Sequence, residues 1–193
     1  MSHLFASNLL VCINFINLEI ITENYFRVSV EKTKCRIIIF MKNYPKVTIG
    51  VGGLIVRNKN EALLIKRNSD PSIWTIPSGY LEDKEDLFQT IKRELKEETG
   101  VNIKPKGILG VRQRFTEKEG NNLWIVVLCD YLSGKEKPDR NEILQTKFMS
   151  LDDALAEKIT PVTKHVIQLY IKNKIKILRS QKSFNQTNYK FFS

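Results

Sequence analysis

The stretch GYLEDKEDLFQTIKRELKEETGV, from Gly79 to Val101, contains an amphipathic helix with an unusual arrangement of acidic residues. At about 100° per residue, one face carries four apolar side chains and is expected to be buried: Leu87, Phe88, Ile91 and Leu95. The adjoining arc carries three glutamates: Glu94, Glu97 and Glu98. Like charges three and four residues apart repel and destabilise a helix. The pattern therefore favours a cation bound beside this helix, and the alternative is a solvated glutamate-rich face.

The spacing of the residues in this stretch is specific. Gly79 is followed after five residues by Glu85 and after seven more by Arg93-Glu94-Leu95, and then come Glu97-Glu98 and Gly100-Val101. This pattern resembles the signature of the Nudix hydrolases at every fixed position, and a weaker resemblance extends over roughly residues 46–157. The resemblance implies an α/β protein with the Nudix fold, an α/β/α sandwich with a mixed central sheet. The pattern of strands and helices alone indicates only α+β or α/β.

The resemblance also implies roles for the motif residues. Glu94, Glu97 and Glu98 match metal-binding glutamates, and Glu97 and Glu98 are expected to act in catalysis. A backbone carbonyl of Ser78, which replaces the first glycine of the Pro-Gly-Gly turn found in relatives, or of Gly79, is expected to reach the same metal. The remaining fixed positions are expected to support the motif: Gly79, Glu85, Arg93 and Gly100.

Three further positions outside the helix are candidates for the site. Glu142, ahead of the last predicted strand, is the first candidate for a general base or additional ligand, with the loop acids Glu119 and Glu117 as alternatives. Arg67, at the end of a predicted strand, is a candidate for binding a phosphate or is an ordinary surface arginine. Trp74 is a candidate for stacking on a base, or packs within its own loop.

The residue types of the motif suggest metal-assisted chemistry. Clustered carboxylates bind hard cations, and Mg²⁺ pairs one or two carboxylates with substrate phosphates, so Mg²⁺ is the predicted cofactor and Mn²⁺ an alternative. The resemblance predicts hydrolysis of a nucleoside diphosphate linked to a second moiety X, such as ADP-ribose, to a nucleoside monophosphate and X-phosphate. The alternatives are a pyrophosphohydrolase of (deoxy)nucleoside triphosphates, a nucleotide-sensing module without catalysis, and an RNA-directed enzyme of decapping type.

Charge and cysteine content limit the partners. The net charge of +10 is concentrated at the C-terminal end, because residues 158–193 hold eight Lys or Arg and no Asp or Glu. Such a tail is compatible with RNA or an acidic lipid surface, but more often it is a solvated terminus. The three cysteines show no paired spacing, which fits a reducing cytoplasm. The expected partner is a small nucleotide rather than nucleic acid or a membrane, and a homodimer is an open alternative.

The chain is predicted to contain a Nudix hydrolase domain at residues 41–178, preceded by an extension at 1–40 and followed by a basic tail at 179–193. The apolar run Leu4–Ile21 is interrupted by polar residues and makes a poor signal peptide or membrane span. The stretch that begins at Met41 resembles the beginning of a Nudix domain, so the hypothesis is that translation starts there or that residues 1–40 are a dispensable extension. Within the domain, strands are predicted at Lys46–Val56, Glu61–Arg67, Gly107–Phe115, Leu123–Leu132 and Lys147–Leu151. Pro71–Gly79 is predicted as a loop, and helices are predicted at Asp152–Ile159 and Pro161–Leu178.

Overall fold

A computed structural model of the chain describes residues 26–29, 38–41, 47–117, 120–174 and 176–180. The chain divides into two units, Met1–Pro45 and Lys46–Ser193. In the first unit, strands β1 (Phe26–Ser29) and β2 (Ile38–Met41) pair in antiparallel orientation. The hypothesis of a start at Met41 and the role of the basic tail remain predictions, because they concern residues that lie largely outside the described ranges.

The second unit is built on a mixed sheet of seven strands. These strands are β3 (Val47–Arg57), β4 (Glu61–Arg67), β5 (Asp70–Thr75), β6 (Ser78–Tyr80), β7 (Asn102–Thr116), β8 (Gly120–Ser133) and β9 (Ile143–Ser150). Their order is β5-β4-β3-β8-β7, with β6 beside β3 and β9 beside β4. β3 and β8 run parallel, whereas the other pairs are antiparallel. The predicted strands are all present, although β7 to β9 extend beyond the predicted bounds.

Helices cover both faces of this sheet: α1 (Leu87–Thr99) on one side, and α2 (Leu151–Ala156) and α3 (Pro161–Ile171) on the other. Neighbouring residues of β3 alternate between the two faces. Val51 belongs to the core cluster that contains Ile91 of α1, whereas Leu54 belongs to the cluster that contains Ile167 of α3. Two separate cores on opposite faces of one mixed sheet confirm the predicted α/β/α sandwich.

The ends of α1 are fixed by local capping. Asp86 precedes the helix, and its carboxylate accepts hydrogen bonds from the backbone N–H groups of Phe88 and Gln89, while the Gln89 side chain accepts from the Asp86 N–H. This capping box satisfies donors that a helix start leaves unpaired. Gly100 ends the helix with φ of 72°, which confirms the predicted left-handed conformation. The helix that carries the glutamates therefore has defined ends.

The prediction of a loop at Pro71–Gly79 was wrong, because this segment contains most of β5 and the start of β6. β5 pairs with β4, and Trp74 and Ile76 are buried. Outside the sheet ladder, the backbone of Trp74 bonds Lys158 and Thr160. Pro71 and Ser72 are typical of loops, so the sequence favoured a loop here. The pairing with β4 that makes this segment a strand is not visible in its own residues.

The prediction that the last helix continues to Leu178 was also wrong. α3 ends at Ile171, and Asn173 takes a left-handed conformation with φ of 50°. The chain then returns to the sheet, where Leu178 exchanges two backbone hydrogen bonds with Ile108 of β7. Ile177 packs on the core, so the apolar spacing that suggested a longer helix belongs to an extended segment. The preceding helix, α2, likewise ends at Ala156 rather than Ile159.

Candidate active site

Glu98 is buried near the C-terminal end of α1 and contacts Arg67 at the end of β4. Its side chain is 5% exposed, and Oε1 lies 2.6 Å from Nη2 of Arg67. Oε2 accepts a hydrogen bond of 3.2 Å from the backbone N–H of Ser78. Burial raises the pKa of Glu98 to about 7, even though the Arg67 guanidinium acts to lower it. The single contact with Arg67 therefore does not fully offset the cost of burying the charged carboxylate.

One nitrogen of Arg67 contacts two of the oxygens that the motif resemblance assigns to a metal. Nη2 donates to the backbone carbonyl of Ser78 at 2.5 Å as well as contacting Glu98. The second nitrogen, Nη1, lies 3.8 Å from Oε2 of Glu142. Arg67 thus joins the turn before the motif, the motif helix and the segment before β9, which are far apart in the sequence.

Arg93 is the second cation of the site and is surrounded by carboxylates. Its Nε and Nη2 bond both oxygens of Glu85 at 2.7 and 2.9 Å, and Nη1 lies 2.9 Å from Glu94 and 3.3 Å from Glu97. Hydrogen bonds from Arg93 lower the pKa of Glu85 to about 2. Glu94 differs, because burial raises its pKa and Arg93 only partly offsets that effect. Arg93 also donates to the carbonyl of Tyr80, which fixes the turn against the helix.

Gly79 lets the turn approach α1 closely. A Cβ at this position would lie 1.8 Å from the carboxyl carbon of Glu94 and about as close to both its oxygens. Any side chain at residue 79 would therefore displace the Glu94 carboxylate. The glycine is needed here for space rather than for backbone conformation, since it lies in β6 and is not among the glycines with positive φ.

The residues of the site fit a divalent cation by their chemistry. Among the described residues, no three acidic, histidine or cysteine side chains converge tightly enough to hold a metal, because Glu94 and Glu97 turn toward Arg93 and Glu98 toward Arg67. All the same, two partly or fully buried carboxylates and the Ser78 carbonyl supply the hard oxygens that Mg²⁺ and Mn²⁺ prefer. The pKa values of Glu94 and Glu98 are raised because burial penalises their charged forms, and a bound cation would stabilise those charged forms.

Glu142 lies at the site, although its side chain is exposed. It directly precedes β9, and its backbone carbonyl accepts a hydrogen bond from the N–H of Asn68, next to Arg67. The loop before it is tied to α1, since the Asp139 N–H donates to the carbonyl of Glu98. Of the alternative bases, Glu117 is exposed at the end of β7, and Glu119 lies outside the described residues.

A cleft of about 760 Å³ opens beside the motif. Ser78, Gly79 and Glu94 form one part of its wall, and the start of α3 forms another. Three arginines line it as well: Arg67, Arg112 and Arg114. The carboxylate site is therefore continuous with a cavity whose walls suit an anionic ligand.

The cleft contains a tryptophan, but not the one proposed from the sequence. Trp74 is 6% exposed, packs in the core beside α3 and has the Lys66 ammonium 4.8 Å from its ring centroid. It does not line the cleft, so the structure does not bring this candidate to the carboxylates. Trp124 of β8 lines the cleft instead, together with Arg112 and Asn122. Sequence reasoning missed these three because it treated Gly107–Phe115 and Leu123–Leu132 only as strands and did not single out Asn122 between them.

Fold and site together define an α/β sandwich protein in which a glutamate-bearing helix borders an arginine-lined cleft. Residues 46–170 match the family model for the NUDIX domain. Since this match covers well over half of the sequence, the chain belongs to the Nudix family. The predicted family and fold are thereby confirmed.

Individual relatives agree with this assignment. The human protein named nucleoside diphosphate-linked moiety X motif 6 is 28% identical over 137 residues, which are 68% of this chain and 43% of that protein. An ADP-ribose pyrophosphatase of Methanocaldococcus jannaschii is 31% identical over 113 residues, 57% of this chain and 66% of that protein. The crystal structure of a MutT NUDIX hydrolase from Burkholderia pseudomallei superposes with a TM-score of 0.56 at 25% identity, covering 64% of this chain and 97% of that one.

The chain spans less than half the length of the human relative, so likeness to it concerns the shared domain. Within the part of the chain that the structure describes, no helix is both long and apolar enough to cross a membrane.

Proposed function

We propose that this protein hydrolyses the phosphoanhydride of a nucleoside diphosphate linked to a second moiety X. Water adds to one phosphorus, one P–O bond of the anhydride breaks, and the products are a nucleoside monophosphate and X-phosphate. The observation that carries the proposal is the oxygen set of Ser78, Glu94 and Glu98. Ser78 and Glu94 line a cleft together with three arginines, and the buried Glu98 contacts Ser78 and Arg67 in that wall. ADP-ribose is the first substrate to test, and the archaeal relative named for that activity supports the choice.

The cofactor is Mg²⁺ or Mn²⁺, held by Glu94, Glu97, Glu98 and the Ser78 carbonyl. A cation of this kind neutralises the charge of the diphosphate and so favours attack at phosphorus. Glu97, the most exposed of the three glutamates, and the buried Glu98 would help to hold that cation, which would supply positive charge to the substrate phosphates. One structural neighbour, a bifunctional NMN adenylyltransferase/ADP ribose pyrophosphatase from Francisella tularensis, has a crystal structure with AMP and a manganese ion. Its likeness to this chain concerns the fold alone.

Arg67 and Glu142 contact each other beside this oxygen set. Arg67 pairs with Glu98 and also lines the cleft, so its guanidinium is placed to bind a substrate phosphate. Glu142 contacts Arg67 through an exposed carboxylate on a tethered segment, where it can accept a proton from the attacking water. Arg93 and Glu85 hold the motif helix against its turn, and Gly79 leaves room for Glu94.

A product-resolved panel of substrates tests this function. Purified protein is incubated with ADP-ribose, NADH, diadenosine polyphosphates, UDP-sugars and ordinary or oxidised (deoxy)nucleoside triphosphates, each with Mg²⁺, Mn²⁺ or EDTA. Chromatography should give AMP and ribose 5-phosphate from ADP-ribose, with no product in EDTA or with Glu98→Gln. Release of pyrophosphate from a triphosphate as the main reaction would support the triphosphate alternative.

Binding without turnover anywhere in the panel would indicate the nucleotide-sensing alternative. The RNA-directed alternative is tested by deleting residues 179–193. Loss of RNA binding, with turnover of small nucleotides unchanged, would favour that alternative. Cytoplasmic location and a homodimer stay predictions, to be tested by fractionation of the native source and by light scattering.

A further inference from the structure

Trp124 occupies a position prepared by two glycines of the neighbouring strand. In the parallel register of β3 and β8, Trp124 lies opposite Gly50. A Cβ on Gly50 would lie 2.6 Å from Cδ1 of the indole, and a Cβ on Gly52 would lie 2.4 Å from Cζ2. Both contacts are closer than side chains tolerate, so the indole lies along β3 only because these residues are glycines. Gly50 also approaches the backbone of Gly79, which puts one end of the indole beside the motif turn.

The other strand beside Trp124 holds the indole with a chain of polar contacts. Arg112 of β7 pairs with Trp124 in the antiparallel register, and its guanidinium carbon is 5.0 Å from the ring centroid. Arg112 donates to Oδ1 of Asn122 at 2.9 Å, and Asn122 donates to Oγ1 of Thr48 at 2.9 Å. Asn122 is buried, whereas Thr48 at the end of this chain of contacts is exposed. The indole is thus held between β3 and β7, where it is partly buried against the core and also lines the cleft.

The two tryptophans of the chain differ in their access to the cleft. Trp74 is almost fully buried and does not line the cleft, whereas Trp124 is only partly buried and lines the cleft that also contains Glu94. A core residue needs no opening to a cavity. An aromatic ring that is fixed by its neighbours and lines a cleft has the properties of a stacking platform, since aromatic rings attract one another.

We infer that Trp124 is the platform on which the nucleobase of the substrate stacks, with Arg112 as its cationic neighbour. The ligand class is a nucleoside phosphate, bound with its base on Trp124 and its phosphates toward Glu94 and Arg67. This inference rests on the proposed function for the direction of the ligand, but the binding of a base does not require turnover. Because stacking strength grows with ring overlap, purine nucleotides bind more tightly than pyrimidine nucleotides.

Tryptophan fluorescence tests the platform without metal or catalysis, since the chain has only two tryptophans. Trp74→Phe leaves Trp124 as the sole emitter, and the matched variant Trp124→Phe leaves Trp74. In EDTA, AMP should quench the wild type and Trp74→Phe saturably, and UMP should do so at higher concentration. Ribose 5-phosphate, which has the phosphate and no base, should leave the emission unchanged.

Equal quenching of Trp124→Phe by AMP would overturn the inference, and so would equal quenching of Trp74→Phe by ribose 5-phosphate. Absence of any AMP effect on the wild type would overturn it as well, so the result does not depend on either variant folding. Circular dichroism of both variants checks their folds. These outcomes are independent of the substrate panel, which decides the proposed function separately.

Kinetics of the Mg²⁺-loaded enzyme provide a second test. Trp124→Leu should raise KM for a base-bearing substrate about 10-fold or more with little change in kcat, as expected for loss of one stacking contact. Gly52→Ala should raise KM similarly, because its Cβ displaces the indole. Gly110→Ala is the matched control, since a Cβ there meets nothing within 4 Å. An unchanged KM in both Trp124→Leu and Gly52→Ala would contradict a platform role.

Discussion

Replacing Glu98 with glutamine removes the ionisation of a buried carboxyl group and keeps nearly the same shape. The folded protein holds this carboxyl at a pKa of about 7, against an ordinary value of 4.5, because burial penalises the charged form. That difference corresponds to about 3 kcal/mol of folding free energy. We therefore expect Glu98→Gln to be more stable than the wild type by about 3 kcal/mol at pH 8 in EDTA, even though it loses activity by several orders of magnitude.

The sign of the pH dependence follows from the raised pKa. Below pH 4.5 the carboxyl is protonated in both the folded and the unfolded chain, so the ionisation of Glu98 does not affect the free energy of unfolding. As the pH rises toward about 7 the unfolded chain loses this proton first, and wild-type stability falls. Above the folded pKa the whole loss of about 3 kcal/mol is present, whereas the glutamine variant is spared it. The difference between the two proteins should therefore grow from pH 5 to pH 8.

Thermal unfolding followed by circular dichroism between pH 5 and 8.5 in EDTA measures this difference. For a chain of this size, about 3 kcal/mol corresponds to a rise in Tm of about 6–10 °C at pH 8. The matched control is Glu97→Gln on the same helix, whose side chain is 60% exposed and should shift Tm very little. A Glu98→Gln variant that is no more stable than the wild type at pH 8 would refute the reasoning. Added Mg²⁺ should raise Tm in the wild type and much less in Glu98→Gln.

Further predictions concern the turn and the ion pairs of the motif. Gly79→Ala should abolish most turnover at saturating Mg²⁺ while lowering Tm only slightly, because its Cβ collides with the flexible end of Glu94. Gly110→Ala is its control and should leave both quantities unchanged. Arg93→Lys should cost about 1–3 kcal/mol in urea unfolding, because lysine cannot replace the paired bonds to Glu85. An unchanged unfolding midpoint for Arg93→Lys would show that these bonds contribute little.

The spacing of the motif residues was informative about local structure. A glycine after an amphipathic helix predicts a left-handed end, and Gly100 has it, because this conformation depends only on neighbouring residues. The Glu85–Arg93 pair is similarly local, since both residues lie within the stretch that the motif defines. Alternation and length located the strands, because burial on one or both faces leaves a periodic trace in the sequence.

Contacts between distant strands left no such trace. Arg67 meets Glu98 only because β4 and α1 are brought together by the sheet, and no spacing in the sequence encodes that distance. The glycines of β3 were recognised as places of close approach, but their partner Trp124 depends on the parallel register of β3 and β8. The alternatives left open for Trp74, stacking or packing, depend on distant contacts in the same way, since its burial comes from β4 and the segment before α3.

The charge balance of the site connects its stability with its function. Six carboxylates lie within 4 Å of two guanidinium groups, Arg67 and Arg93, so the acids of the site outnumber its cations: Glu82, Glu85, Glu94, Glu97, Glu98 and Glu142. A buried excess charge is costly, so the metal-free protein relieves it by the raised pKa of Glu98. A divalent cation of the proposed kind would offset part of this excess. The same excess that lowers the stability of the metal-free protein at alkaline pH would then favour binding of the cation, so its removal is expected to stabilise the fold at the expense of activity.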